Sequence, residues 1–251
     1  MSGPLRLEQV SITLEGRMLI PPLSVQVDGG QILTLMGASG SGKSTLLSVL
    51  GGTMAPVFRV TGRVWIGERE VTDLPPERRR MGILFQDDLL FPHLSVGENL
   101  AFGLAASVRG RAASAARIDA ALRDAGLAGF ARRDPATLSG GQRARVALLR
   151  LLLAEPEALL LDEPFNKLDA AMRTDFRRFV FEHAQTAGLP VLMVTHDQAD
   201  AEAAQGPVLE LLQAPEGTPV IQRSSGSGSL RKDTEVRPGK VGLPLATEVR
   251  S

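Results

Sequence analysis

Polar and apolar positions alternate in part through Leu5-Arg6-Leu7-Glu8-Gln9-Val10-Ser11-Ile12-Thr13-Leu14. The alternation is cleaner through Leu23-Ser24-Val25-Gln26-Val27, which stops at the turn signal Asp28-Gly29-Gly30. A period of two sends successive side chains to opposite faces, so both stretches predict half-buried, antiparallel strands. Gln31-Ile32-Leu33-Thr34-Leu35-Met36 is more continuously apolar, as a central strand covered on both faces would be. A glycine-rich loop follows, then a helix over Lys43 to Leu50. Val60 to Ile66 and Met81 to Phe85 predict two further strands, the second short and buried.

From about Ser95 to Gly129 the chain is rich in Ala, Leu and Arg at helical spacing, with few β-branched residues. This predicts a helical subdomain, about residues 87–137, inserted into an α/β core. The core pattern then resumes. Ser139 to Ala154 predicts a helix and Ala158 to Leu161 a strand. Ala170 to Ala187 predicts a helix closed by Gly188 and Pro190. Val191 to Thr195 predicts a strand, and Asp197 to Gln205 a short helix. Strands alternating with helices imply a mostly parallel sheet with helices on both faces. Residues 1–222 read as one domain. Ser224-Ser225-Gly226-Ser227-Gly228-Ser229 has a flexible-linker composition. Residues 223–251 are expected to form a disordered tail, poor in large apolar side chains. No internal repeat is present.

Composition narrows the function. Lys+Arg and Asp+Glu both number 28 in 251 residues, so the formal net charge is zero. That argues against nucleic-acid binding through bulk positive charge. There is no cysteine, which excludes disulfides, zinc–thiolate sites, iron–sulfur clusters and a Cys nucleophile. Three His argue against a His-rich metal site. No apolar run approaches the roughly 20 residues that span a bilayer, and Met1 to Val10 has no signal-peptide core. A cytosolic chain is expected, reaching any membrane through a partner.

Gly37-Ala38-Ser39-Gly40-Ser41-Gly42-Lys43-Ser44-Thr45 satisfies G-x-x-x-x-G-K-[ST] in full, after an apolar strand and at the start of a helix. Glycines let backbone N–H groups turn inward around phosphate oxygens, and the helix N-terminus adds partial positive charge. Lys43 should reach the β- and γ-phosphates of a bound nucleotide, and Ser44 should hold Mg²⁺. Ala158-Leu159-Leu160-Leu161-Asp162-Glu163 then carries two acids to the end of a buried strand, where α/β sheets bind ligands. Asp162 would help hold Mg²⁺ through water. Glu163 would polarise the attacking water as general base.

Two more elements complete an order. Leu138-Ser139-Gly140-Gly141-Gln142 opens a helix ahead of the acid pair, and His196 follows the strand Val191 to Thr195. Gln86 follows the strand Met81 to Phe85. With these motifs the chain resembles the ATP-binding cassette (ABC) ATPase family over about residues 5 to 212. The resemblance implies a phosphate-loop α/β fold: a parallel-sheet core, an N-terminal antiparallel β-subdomain and an inserted α-helical subdomain. It implies that Gln86 touches Mg²⁺ and reports nucleotide state to the helical subdomain. It implies that Ser139, Gly140, Gly141 and Gln142 meet the ATP held by an opposite protomer, that Asp169 crosses that interface, and that His196 contacts the γ-phosphate. The working unit is then a head-to-tail homodimer around two ATP molecules.

Phe91-Pro92-His93-Leu94-Ser95-Val96-Gly97-Glu98-Asn99-Leu100-Ala101-Phe102-Gly103-Leu104 and Glu163-Pro164-Phe165 with Leu168-Asp169 and Arg173 are similar to bacterial importer ATPases. The run Leu138 to Arg150, with Gly82 to Asp87, is most similar to a small proteobacterial group assigned to a thiamine-type importer. The resemblance implies a transmembrane permease docking near Phe85–Leu100, with Leu89, Leu90, Phe91 and Leu94 as apolar contacts. It also implies a periplasmic solute-binding protein in the complex, no nucleic-acid partner, and a place at the cytoplasmic face of the inner membrane. The equal alternative for any one of those four side chains is that it packs the subdomain on the core.

The chain departs from the family in three places. It has no Tyr, and Leu14 falls where an aromatic usually stacks on adenine; losing a ring contact costs about 0.5–1.5 kcal/mol. Asn166-Lys167 replaces the small residues usual before Leu168-Asp169. No C-terminal regulatory β-domain is expected. Another function stays open beside uptake of a small solute: a non-transport cassette acting mechanically, or as a regulator, on a soluble partner. One cassette with an insertion of about 50 residues is a poor match to relatives with long coiled coils or paired cassettes. A kinase or other phosphate-loop enzyme would leave Leu138 to Gln142 without a task.

Overall fold

The computed structural model describes residues 3–213 and 218–224. Of the tail expected over 223–251, Arg223 instead ends a strand, and residues 225–251 lie outside those described. In chain order the elements are β1 (Leu5–Leu14), β2 (Arg17–Val27), β3 (Ile32–Gly37), α1 (Lys43–Gly51), β4 (Phe58–Ile66), β5 (Arg69–Glu70), α2 (Pro76–Arg79) and β6 (Met81–Leu84). They continue with α3 (Val96–Phe102), α4 (Arg111–Asp124), α5 (Gly140–Leu152), β7 (Ala158–Asp162), α6 (Ala170–Thr186), β8 (Val191–Thr195), α7 (Gln198–Ala204), β9 (Val208–Gln213) and β10 (Pro219–Arg223).

Two sheets form. One is antiparallel with order β2-β1-β4-β5; the other has order β10-β9-β3-β8-β7-β6. In the larger sheet β9, β3, β8, β7 and β6 run parallel, and β10 returns antiparallel at the edge. Its central strands read as unbroken apolar runs because both faces are covered. Leu159 and Leu161 of β7, with Val191 and Met193 of β8, join the core beneath α3, α5 and α6. Ala158, Leu160, Leu192 and Val194 join the opposite core, with α1 and the antiparallel sheet. The period of two thus divides each strand between two hydrophobic layers.

Three differences from the sequence pattern have physical causes. β2 begins at Arg17, earlier than its clean alternation, and runs through Pro21 and Pro22. Proline is tolerated there because β2 is an edge strand and the two prolines fall between the paired registers Ile12–Ile20 and Val10–Leu23. The helical stretch after Ser95 is interrupted between α3 and α4. At Gly103 a Cβ would stand 2.0 Å from the Arg150 carbonyl oxygen, so the backbone of α5 passes where a side chain would be. Finally, β5, β9 and β10 have no counterpart among the elements that the pattern predicts. Val208 to Gln213 carries no strand signal of its own and becomes one by pairing with β3.

Buried polar groups fix the loops. Asn99, fully buried, donates to the carbonyls of Phe91, Leu94 and Ser95 and accepts from the Phe91 N–H. It pins the segment before α3, whose start is closed by a Ser95–Glu98 capping box. Behind β8, the Asp200 side chain is 1% exposed and pairs with Arg177, 2.9 Å away. Burial pushes the Asp200 carboxyl up, and Arg177 pulls it back most strongly. Arg177→Ala would strand this carboxylate. Its expected cost is about 3–5 kcal/mol, read from the denaturant midpoint; a loss under about 1 kcal/mol would mean that water reaches Asp200.

Candidate functional site

The phosphate loop spans the end of β3 and the start of α1. Gly37 lies against the neighbouring strand, where a Cβ would come 2.7 Å from the Leu211 carbonyl oxygen. Gly40 and Gly42 take φ of 75° and 98°, a left-handed backbone that only glycine adopts without strain. No side chain caps α1, so its first N–H groups face the loop. Lys43 is buried, and its Nζ donates to the carbonyls of Gly37 and Ala38, both at 2.8 Å. Burial pulls the Lys43 ammonium down from its ordinary range; Glu163 and Asp162 oppose that. The loop is therefore already wrapped around a positive charge.

The acids come from β7, two strands from β3 in the order β3-β8-β7. Ser44 Oγ donates to Asp162 Oδ1 at 2.8 Å. Burial raises the Asp162 carboxyl; the Ser44 hydrogen bond and Lys43 lower it, and Glu163 adds to the rise. Glu163 turns the chain at φ 45°, and its N–H donates to the Val194 carbonyl at 3.0 Å. That unusual backbone aims the side chain off the strand end toward β8. There His196 Nδ1 stands 3.3 Å from Glu163 Oε1. On the other side, Asn166 Nδ2 donates to Glu163 Oε2. Lys43, Ser44, Asp162, Glu163 and His196 thus meet at the C-terminal edge of parallel strands, the usual ligand crevice of an open α/β sheet.

The donor set can be tested against Mg²⁺. Among the described residues no group of three or more His, Asp or Glu side chains could hold a metal. What is present is a pair of hard oxygens, Ser44 Oγ and Asp162 Oδ1. Mg²⁺ keeps waters and prefers one or two protein oxygens completed by phosphates, so the pair fits a metal that arrives with a nucleotide.

The remaining predicted residues stand apart from this cluster. Ser139 and Gln142 close a capping box at the start of α5, with Ser139 N–H to Gln142 Oε1 at 3.0 Å and Gln142 N–H to Ser139 Oγ at 3.3 Å. Ser139, Gly141 and Gln142 line a shallow pocket with Gly126, Arg145 and Met172. Asp169 caps α6 through the Met172 N–H at 2.9 Å. Gln86 is exposed and shares a small cavity with Gly140, Lys167 and Leu168. Leu14 ends β1 in a cross-strand row with Arg17 on one side and Phe58 on the other, so a phenylalanine ring occupies that row although Leu14 itself is aliphatic.

A groove of about 930 Å³ runs between β6, α5 and the segment around α3. Phe85, Leu89, Phe91 and Phe102 line it, and Phe102 is 72% exposed. Of the four apolar contacts expected there, Leu89 and Phe91 face the groove, whereas Leu90 packs on the core. Leu94 is half-buried and its carbonyl is held by Asn99. Phe102 lies beyond the expected Phe85–Leu100 segment, because one helical turn brings it back beside Phe91, ring centroids 4.8 Å apart. No helix among the described residues is long and apolar enough to cross a membrane.

Comparison with known proteins places the chain in a family. Residues 20–166 match the ABC transporter family. The chain is 50% identical over 206 residues to the uncharacterized ABC transporter ATP-binding protein YnjD of Escherichia coli K12, covering 82% of this chain and 94% of that one. It is 41% identical over 199 residues to the sulfate/thiosulfate import ATP-binding protein CysA 2 of Agrobacterium fabrum, covering 78% of this chain and 58% of that protein. Against the Fe(3+) ions import ATP-binding protein FbpC of the same organism it is 41% identical over 207 residues, 82% of this chain and 58% of the relative. The chain therefore spans nearly all of the first relative and little over half of the two import proteins. With the complete phosphate loop, the paired acids after β7 and these relatives, the chain belongs to the ABC transporter family, as its ATP-binding ATPase component.

Proposed function

We propose that this chain energises uptake of a small solute by binding and hydrolysing ATP as a head-to-tail dimer docked on membrane subunits. The convergence of Lys43, Ser44, Asp162, Glu163 and His196 on one sheet edge carries the reading. The loop of residues Gly37 to Thr45 holds the phosphates, and the Lys43 ammonium exchanges the Gly37 and Ala38 carbonyls for β- and γ-phosphate oxygens. Ser44 and Asp162 hold Mg²⁺, which neutralises phosphate charge when bound. Glu163 accepts a proton from the attacking water, and His196 positions that water and the γ-phosphate. Gln86 completes the metal side and reports it to the groove.

The hydrogen bonds and pocket of the signature Ser139 to Gln142 involve no residue of its own chain's phosphate loop among the described residues, which supports use by a second copy. A Ser hydroxyl and glycine N–H groups at the N-terminus of α5 form a second anion site, and Asp169 reaches across from the start of α6. ATP then favours the closed dimer, hydrolysis the open one, and the difference in affinity supplies the work. The relatives named for import support the direction, and the groove lined by Phe85, Leu89, Phe91 and Phe102 supports docking of an apolar permease segment at the cytoplasmic face of the inner membrane. A periplasmic solute-binding protein would then choose the solute.

The test is co-purification of the tagged protein from gently solubilised membranes. A polytopic membrane protein is expected with it, and Phe102→Arg is expected to reduce its recovery about tenfold or more while ATP binding is unchanged, because a charge in the groove must be desolvated on docking. Recovery only from the soluble fraction, with a soluble partner, would replace transport by the mechanical or regulatory reading.

A further inference from the structure

Asn166 and Lys167 both reach out of the loop that follows Glu163, in different directions. Asn166 Nδ2 donates to Glu163 Oε2, and the Asn166 N–H donates to the Glu163 carbonyl at 3.3 Å. His196 Nδ1 faces the opposite carboxylate oxygen. Lys167 Nζ pairs with Asp87, the residue after Gln86. The loop between Glu163 and Leu168 is thus tied to the carboxylate on one side and to the Gln86 loop on the other. Phe165, between them, is fully buried against Phe176 and Phe181, which anchors the loop in the core.

We propose that Asn166 is a positioning residue for Glu163, holding its carboxylate in one orientation through the side-chain amide. The proposal rests on reading Glu163 as the general base. A glutamate side chain has several rotatable bonds, and a base that must aim at one water gains from being held. A hydrogen bond to a carboxylate is strong enough to choose among rotamers. An alanine or serine at this place would have no amide donor to offer Oε2. The exposed Lys167–Asp87 pair adds little stability; what it does is fix the far side of the same loop.

The experiment compares Asn166→Ala, Asn166→Asp and Asn166→Gln in the full chain, by steady-state phosphate release and by affinity for a fluorescent ATP analogue. Asn166→Ala and Asn166→Asp are expected to lower kcat about tenfold or more with KM and analogue affinity nearly unchanged. Asn166→Gln retains the donor and is expected to recover most of the rate. A crystal structure of Asn166→Ala without nucleotide is expected to show the Glu163 carboxyl swung out of reach of His196. An unchanged or increased kcat, an equal loss in affinity, a Gln variant no better than Ala, or a Glu163 carboxyl that stays in place would each overturn the proposal. Glu163→Gln measured in parallel separates the two ideas. If it still hydrolyses ATP, the base assignment fails; if it is inactive while the Asn166 variants keep full rate, only the positioning role fails.

Discussion

Glu163→Gln should bind ATP as the parent does and hydrolyse it about 10²–10⁴-fold more slowly, the range that a positioned general base contributes. The substitution is isosteric and keeps the contact surface of the loop. It removes the carboxylate that stands in hydrogen-bond reach of His196, 3.3 Å away. Asp162 faces Ser44 instead, its Oδ1 accepting from Ser44 Oγ at 2.8 Å. Because ATP stays intact, the closed state persists, and a dimer is expected by size exclusion with light scattering in saturating Mg-ATP. A variant that hydrolyses at the parental rate would remove Glu163 from the chemistry. One that is inactive yet monomeric would retain the base and make the membrane subunits necessary for pairing.

Lys43→Ala should lose ATP rather than turnover. In the structure its ammonium is buried and satisfied by two loop carbonyls at 2.8 Å each. Those acceptors are neutral; phosphate oxygens in the same place are charged, and hydrogen bonds to charged groups contribute about 1.5–3 kcal/mol apiece. Two such bonds correspond to a drop in affinity of about 10² or more, measured by calorimetric titration with Mg-ATP. The electrostatics add to it, because removing the cation leaves Asp162 and Glu163 facing the phosphates without a counter-charge. Affinity within about threefold of the parent would move the phosphates out of this loop.

These two effects concern residues that were readable before any coordinates. Gly37 to Thr45 is legible because only a strand–glycine loop–helix passage gives that spacing a purpose, and Asp162-Glu163 because four apolar residues can only deliver two acids to a strand end. The periodicities also announced β1, β3, α1, α5, β7, α6 and β8 within a residue or two. Elements whose stability is borrowed were less legible. β9 is a strand through its pairing with β3, and β2 tolerates Pro21 and Pro22 through its edge position. Among the apolar residues near the groove, Leu90 turned inward and Phe102 outward, a choice made by the packing of α3 on α5.

By itself, then, the sequence determined the candidates: which residues are proposed to cradle phosphate, hold a metal and move a proton, and in what order along the chain. Local spacing suffices for that, since each motif is complete within nine residues or fewer. Tertiary structure alone decided which distant side chains meet. It brought Ser44 to Asp162 across 118 residues and His196 to Glu163 across 33. It also turned Asn166, a departure from pattern in the sequence, toward the Glu163 carboxylate. The reason is that strand order in the parallel sheet, β3-β8-β7, is fixed by burial of two apolar faces at once, a property of the assembled layers that no single segment carries.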